Sequence, residues 1–546
     1  MMHLRLRLAR RDQGAVAIVT AILMLTFLGL TAFAVDVGNW YAVGLQAQRA
    51  ADAGALAGVV NLPVDQSGAS SVARSFTKQN GFTDGVSATV VTAGVGSTPT
   101  RLNVTVSKTV PNFFGALLGV RTTTVARSAV ADYAAPVAMG SPCNEFGNDP
   151  DATPSVRGTT CDNTAGHLWT NINSPSALKE NGDSYQSKRC RAGVDGCSGG
   201  PGPNTDYRPD GYFYTVSLKQ DTSSLDVQLF DPAFAYQGAQ CTGGEGTAFE
   251  YDGRKAVDAR NSFVTDETTR YAPGATDYCT GDSVFANTTP MSTKFTLRSA
   301  AGNAWDPLTH PVLCTKQYDG YFGVLYDALN EASPTYNLEL AKSFRRWSSM
   351  CTISPAPAGD YLLQVQSNVG GTPDTADGGN RFSIRAIGSN NNAISISGRE
   401  NMGIFSNKPD ASGVTGFYLA RVPSGAAGKV LNVRLFDVGD SPVAGRIKIL
   451  NPTGGDYTTC TASGVVNGPL GDCSFAVPAG TPASPSPFNG KWQQVSVPIP
   501  SAYSCNDTDT TACWVKLQYT YSAGAQPTDV TTWTANIEGD PVRLVQ

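Results

Sequence analysis

The residues with the most definite chemistry in this sequence are its twelve cysteines. None precedes Cys143, and they then arrive as near neighbours: Cys143/Cys161, Cys190/Cys197, Cys241/Cys279, Cys314/Cys351, Cys460/Cys473 and Cys505/Cys513. An even number in short-range pairs is the pattern of a disulfide framework made in an oxidising compartment. Zinc is the rival use of clustered thiolates. No Cys-x-x-Cys spacing occurs, and the histidines are only His3, His167 and His310, so the expectation is disulfides. Sequence leaves their connectivity open; pairing in chain order is the simplest hypothesis.

Oxygen ligands are the second candidate chemistry. "PDTADGGN" offers Asp374, Asp377 and Asn380, and "CNDTDTTAC" offers Asp507 and Asp509 inside a cysteine-closed loop. Hard oxygens on a turn suit calcium. Neither stretch completes an EF-hand, and the same residues are ordinary turn formers, so calcium stands as a candidate against an expectation of no cofactor. No His-Glu-x-x-His pair and no phosphate loop occurs, and no catalytic residue is expected. Trp169, Trp305, Trp347, Trp492, Trp514 and Trp533 would stack on sugars if exposed; in alternating strands they are core residues.

The element that must position all of this is near the start. Ala15 to Val35 is an uncharged apolar run preceded by Arg5, Arg7, Arg10 and Arg11. A helix needs about 20 residues to cross the hydrocarbon core. The basic flank puts the N-terminus in the cytoplasm, and the bulk, with its cysteines, outside. No second apolar span follows, so the expected protein is single-pass in the cell membrane. Ala32-Phe33-Ala34 has the form of a signal-peptidase site. The alternative is therefore a secreted carbohydrate-binding or carbohydrate-active protein released after Ala34. Against it, the apolar run exceeds an ordinary signal-peptide core of about 7–15 residues. The pattern also stays helical until Pro63. Ala47, Ala51 and Ala55 form one i, i+4 row, and Ala50, Gly54 and Gly58 another. Such rows admit close backbone approach, either within the protein's own domain or in assembly. Trp40 and Tyr41 fit an outer aromatic belt.

"RRDQGAVAIV", "AVDVGNWY" and "LQAQRAADAGALAG" together resemble the N-terminus of TadE/TadG-like proteins of the Flp (tight-adherence) pilus-assembly system. The resemblance covers about residues 8 to 60 and extends weakly to about residue 132. It implies a membrane-anchored accessory of pilus assembly or adhesion. Two features depart from related patterns. The fifth residue after Gly14 is Val19, where processed pilins carry Glu. The Asp-x-Ser-x-Ser metal triplet of many TadG-like proteins is also missing.

The rest of the chain is rich in Gly, Pro, Ser and Thr and only 16% charged, with net charge −5. This is the composition of extracellular β modules and argues against nucleic acid as a partner. The expected fold is mainly β with an N-terminal transmembrane helix. A cytoplasmic tail (1–13) and the transmembrane and continuing helix (14–60) lead to a small α+β stalk (61–135). A linker (136–165) and two disulfide-stapled, jelly-roll-like antiparallel β-sandwiches (166–388 and 389–546) follow. "GYFYTVSLKQDTSSLDVQLFD" (211–231) matches "GFYLARVPSGAAGKVLNVRLFD" (416–437), a sign of duplication. Two insertions enlarge the first copy, around "RKAVDARNSFVTDETTRYAPGATDYC" and "LYDALNEASPTYNLELAKSFRRW". The functional expectation is a non-catalytic TadG-like surface protein acting in pilus assembly or adhesion. Its expected partners are the membrane and either other pilus-assembly proteins or surface glycans.

Overall fold

The structure is a computed structural model. It describes residues 12–62, 66–96, 101–133, 136–149, 168–197, 202–236, 279–302, 306–323, 325–329, 332–407, 411–480, 485–525, 528–538 and 542–544. His3, Cys161, His167, Cys241, Trp305, most of the basic tail and nearly all of the first insertion lie outside these residues.

Two compact units emerge. The first contains residues 1–135, 303–306 and 539–546. Its long helix α1 (Asp12–Val59) is followed by α2 (Gln66–Gln79) and strands β1 (Thr89–Val95), β2 (Arg101–Pro111) and β3 (Thr122–Tyr133). The strands form an antiparallel sheet in the order β1-β2-β3, and the chain returns at Val542–Leu544 to pair with β3. The β-branched alternation of "RLNVTVSKTV" buries Leu102, Val104 and Val106 on one face of β2, as a period of two requires. That face packs on Ala47, Ala51 and Ala55 of α1 and on Ala69 and Ala73 of α2.

The second unit contains residues 136–302 and 307–538. Its strands are β4 (Ala138–Gly140), β5 (Glu145–Phe146), β6 (Leu168–Asn173), β7 (Arg189–Cys190), β8 (Gly202–Pro203), β9 (Tyr212–Leu218), β10 (Leu225–Phe230), β11 (Thr293–Arg298), β12 (Val312–Tyr318), β13 (Trp347–Ile353), β14 (Gly359–Ser367), β15 (Gly379–Ile387), β16 (Ile394–Arg399), β17 (Asn401–Asn407), β18 (Ala411–Arg421), β19 (Val430–Phe436), β20 (Gly445–Leu450), β21 (Cys460–Ser463), β22 (Gly468–Leu470), β23 (Ser474–Val477), β24 (Trp492–Pro498), β25 (Trp514–Ala525) and β26 (Thr528–Ile537). Apart from the small β7-β8 hairpin, they pair in two long antiparallel runs. One is β12-β11-β14-β9-β16-β4-β18-β25-β20-β23. The other is β13-β10-β15-β6-β17-β26-β19-β24-β21-β22, with β5 also on β15. Alternate residues of both runs enter one apolar core, from Tyr214, Phe295 and Leu363 to Val433, Leu517 and Ile537. This is sandwich packing.

The pairing repeats. β9-β14-β11-β12 matches β18-β25-β20-β23, and β6-β15-β10-β13 matches β17-β26-β19-β24. The two Leu-Phe-Asp endings occupy equivalent corners. Asp231 and Asp437 both have positive φ, 50° and 61°, a conformation Asp tolerates better than most residues. The Asp231 N–H donates to Arg346 (3.2 Å) and that of Asp437 to Lys491 (3.0 Å). Asp231 Oδ1 accepts the Arg345 N–H (3.1 Å) and Asp437 Oδ1 that of Gly490 (2.6 Å). A buried tryptophan, Trp347 or Trp492, follows each pair. The halves exchange strands: β4, which leads into the first copy, pairs with β18 of the second, and β16 of the second pairs with β9 of the first. Residues 138–140 and 145–146, in the stretch read from sequence as linker, are thus sheet members.

Four disulfides join described residues: Cys190–Cys197, Cys314–Cys351, Cys460–Cys473 and Cys505–Cys513. Cys143 and Cys279 are disulfide-bonded as well. Cys314–Cys351 ties β12 to β13, the terminal strands of the two sheets at one end. Cys460–Cys473 ties β21 to the residue preceding β23 at the other end, with Cα atoms 5.2 Å apart.

Candidate membrane-anchor and assembly segment

The helix α1 changes character along its length. Large apolar side chains from Val16 to Val35 are 47–71% exposed, while the Ala and Gly rows from Ala47 onward are buried. The first part is long and apolar enough to cross a membrane. A helix rises 1.5 Å per residue, so those twenty residues span about 30 Å, the thickness of a hydrocarbon core. The second part is a core helix. A Cβ on Gly58 would stand 2.5 Å from the Ala69 carbonyl oxygen and 2.5 Å from Leu102 Cδ2, and one on Gly54 would stand 2.8 Å from Thr77 Cγ2. The small-residue rows therefore serve close packing inside the first unit. Helix α1 runs unbroken through Ala34.

Asp36 marks the change. It is 2% exposed, one residue past the apolar run. Its carboxylate accepts backbone N–H groups of the β2–β3 loop: Phe113 at 2.7 Å, Phe114 at 3.1 Å and Gly115 at 2.7 Å. Three charge-assisted bonds to one carboxylate are a strong fixture. Asn112 completes the clasp. Its Oδ1 accepts the Trp40 indole N–H (2.8 Å), and its Nδ2 donates to the Val120 carbonyl and to Thr123 Oγ1, both at 3.0 Å. Trp40 is thereby half-buried rather than free. Neither Asp36 nor Asn112 stood out in the sequence. Their one signal was a charged residue directly after twenty-one uncharged ones.

The residues singled out for other chemistry are engaged structurally. Asp374 forms a surface ion pair with Lys188. Asp377 is fully buried; its Oδ2 accepts N–H groups of Phe285 (2.9 Å), Ala286 and Asn287 (2.9 Å), pinning that turn. Asn380 is buried and donates to the Pro232 carbonyl and to Thr293 Oγ1, both at 2.8 Å. Asp374 and Asp377 therefore carry separate duties. Asp507 accepts from the Ser424 N–H (3.0 Å) and hydroxyl, while Asp509 accepts from the Thr511 N–H (2.9 Å) and hydroxyl (2.7 Å) in its own turn. The sulfurs of Cys505 and Cys513 lie close to Asp507, but they are bonded to each other and offer no thiolate to a metal. His310 is buried, with Nδ1 2.7 Å from the Ser299 carbonyl oxygen. Trp169, Trp347, Trp492, Trp514 and Trp533 are all buried and present no sugar platform.

One acidic group escaped sequence reading. Asp437, Asp440 and Asp529 interact near the β19 and β26 ends. Asp529 Oδ2 accepts the Gly439 N–H at 2.8 Å. Burial, then the charge of Asp440, pushes the Asp529 carboxyl up to about 7. Burial pushes Asp440 up to about 6, and burial and the same neighbour raise Asp437 well above the carboxylate range.

No curated protein and no solved structure matches the chain. Residues 14–61, nearly all of α1 and the two residues after it, match the family model described as putative Flp pilus-assembly TadE/G-like. With the exposed apolar helix, that match fits a pilus-assembly-related membrane protein.

Proposed function

We propose that the protein is a membrane-anchored, non-catalytic surface component of the TadG-like type, acting in Flp pilus assembly or cell-surface adhesion. Its N-terminus lies in the cytoplasm and its disulfide-bonded β unit outside. The observation that carries this reading is the division of α1. One unbroken helix has a bilayer-length apolar half, and its other half is built into the core of the first unit. Such a helix couples anchor to exported domain without a hinge. The disulfides support export, since thiols stay reduced in the cytosol.

Alkaline extraction of membranes together with protease shaving of intact cells tests it. The expected result is a carbonate-resistant protein whose β unit is digested from outside. A protein released by carbonate, or shielded from external protease, would contradict the anchoring or the orientation respectively. Deletion of the gene is expected to reduce pilus-dependent adherence.

A further inference from the structure

We propose that the β2–β3 tip, residues 112–120, is a second membrane contact that lies in the outer lipid interface beside α1. The proposal rests on the reading of α1 as the membrane span. Three observations locate the tip. First, Asp36, immediately past the apolar run, holds the backbone of Phe113, Phe114 and Gly115. The tip is therefore fixed where the helix leaves the hydrocarbon. Secondly, β2 runs antiparallel to α1. Its start, Leu102, lies against Gly58, and its end meets Asp36, so the hairpin points toward the span. Thirdly, the tip turns its apolar groups outward: Phe113 is 63% exposed, Phe114 42%, Leu117 84% and Val120 55%.

Four large apolar side chains on one short loop are a poor surface for water. They are a good one for the headgroup–acyl boundary, where aromatic residues collect and amphipathic elements insert about 5–10 Å. Phe33 and Val35, in the last turn of the apolar run and directly before Asp36, are exposed as well. With the backbone N–H groups of residues 113–115 donated to Asp36 and those of Leu117, Gly119 and Val120 donated to carbonyls within the loop, most main-chain donors of the loop are already paired, which lowers the cost of a lipid contact. Two contacts fix the helix's rotation about its own axis, which a lone span leaves free.

The test uses the full chain in phosphatidylcholine–phosphatidylglycerol vesicles, with an environment-sensitive fluorophore on one introduced cysteine: Leu117→Cys at the tip, Phe27→Cys within the span, or Val95→Cys at the far end of β1. Quenching by lipids brominated near the headgroup end of the acyl chain is read at each. The expected result is strong quenching at positions 27 and 117, with quenching at 117 clearly above that at 95, since an interfacial element sits about 5–10 Å into the headgroup–acyl boundary. Quenching at 27 with none at 117 overturns the tip contact and leaves the span intact. Absence of quenching at 27 overturns the span and the tip together. A fluorophore at 117 that is shielded from lipid bromine, but self-quenches as protein density rises, overturns the lipid contact in favour of packing between copies. In Phe114→Asn/Leu117→Asn protein labelled at 120, the expected outcome is loss of tip quenching with the span signal kept; undiminished tip quenching counts against the proposal.

Discussion

At the scale of single residues, two positions show how local chemistry sets the anchor. Gly58 is glycine because a methyl group would meet a carbonyl oxygen and a leucine methyl at 2.5 Å. Gly38, on the same helix, has nothing within 4 Å of an added Cβ. Alanine in a helix interior normally gains about 0.5–1 kcal/mol over glycine, but overpacking costs about 1–3 kcal/mol, and the closer contact decides. Gly58→Ala is expected to destabilise the first unit, and Gly38→Ala to be neutral or mildly stabilising, as read by hydrogen exchange of the α2 amides in the detergent-solubilised chain. Equal protection in the two variants would refute the packing assignment. Asp377 gives a second residue-scale prediction. Removing the buried Asp377 carboxyl takes the acceptor from the N–H groups of Phe285, Ala286 and Asn287, a loss of roughly 2 kcal/mol, so Asp377→Ala is expected to lower the melting temperature and loosen the 285–287 turn. The small-residue rows of α1 were legible in the sequence, because their spacing is helical. The Asp36 clasp was not, since its partners are 77 to 79 residues away and no local pattern reports them.

At the scale of elements, the doubled sandwich is closed at its two ends by covalent ties between opposing sheets. Cys314–Cys351 closes a loop of sequence separation 37, and Cys460–Cys473 one of 13. Loop-closure entropy in the unfolded chain favours the longer tie, and each is worth about 2–4 kcal/mol. Replacing Cys314 and Cys351 together by Ala is therefore expected to cost the second unit stability in that range in denaturant unfolding, and more than the Cys505–Cys513 replacement. The reverse order would show that geometry, not loop length, governs these bonds. Sequence reading found the Gly-aromatic-Tyr and Leu-Phe-Asp strands of both copies because each has its own period-two pattern. It missed the exchange of β4 and β16. Three residues, Ala138–Gly140, carry no periodicity, and their pairing with β16 and β18 is decided by long-range sheet continuity. The tryptophans illustrate the same limit. Their type fitted both a core and a sugar platform, and only the covering layers decide for the core.

At the scale of the whole molecule, charge and anchorage set behaviour. Asp440 and Asp529 have folded-state values of about 6 and about 7, raised from the ordinary 3.8. Their contribution to stability is fully present below the unfolded value and is lost as pH rises through the folded ones. The second unit is thus expected to lose melting temperature between about pH 4 and pH 7, and Asp529→Asn to flatten that slope; an unchanged slope would show that other groups set it. The central claim concerns α1: that it is kept, not cut, and joins a bilayer span to the exported fold. The most direct measurement is the intact mass of the protein recovered separately from membranes and medium. The account predicts the full-length chain, 57.2 kDa, in the membrane fraction. A species beginning at Val35 in the medium would contradict it, making the segment a signal peptide and the rest a secreted protein.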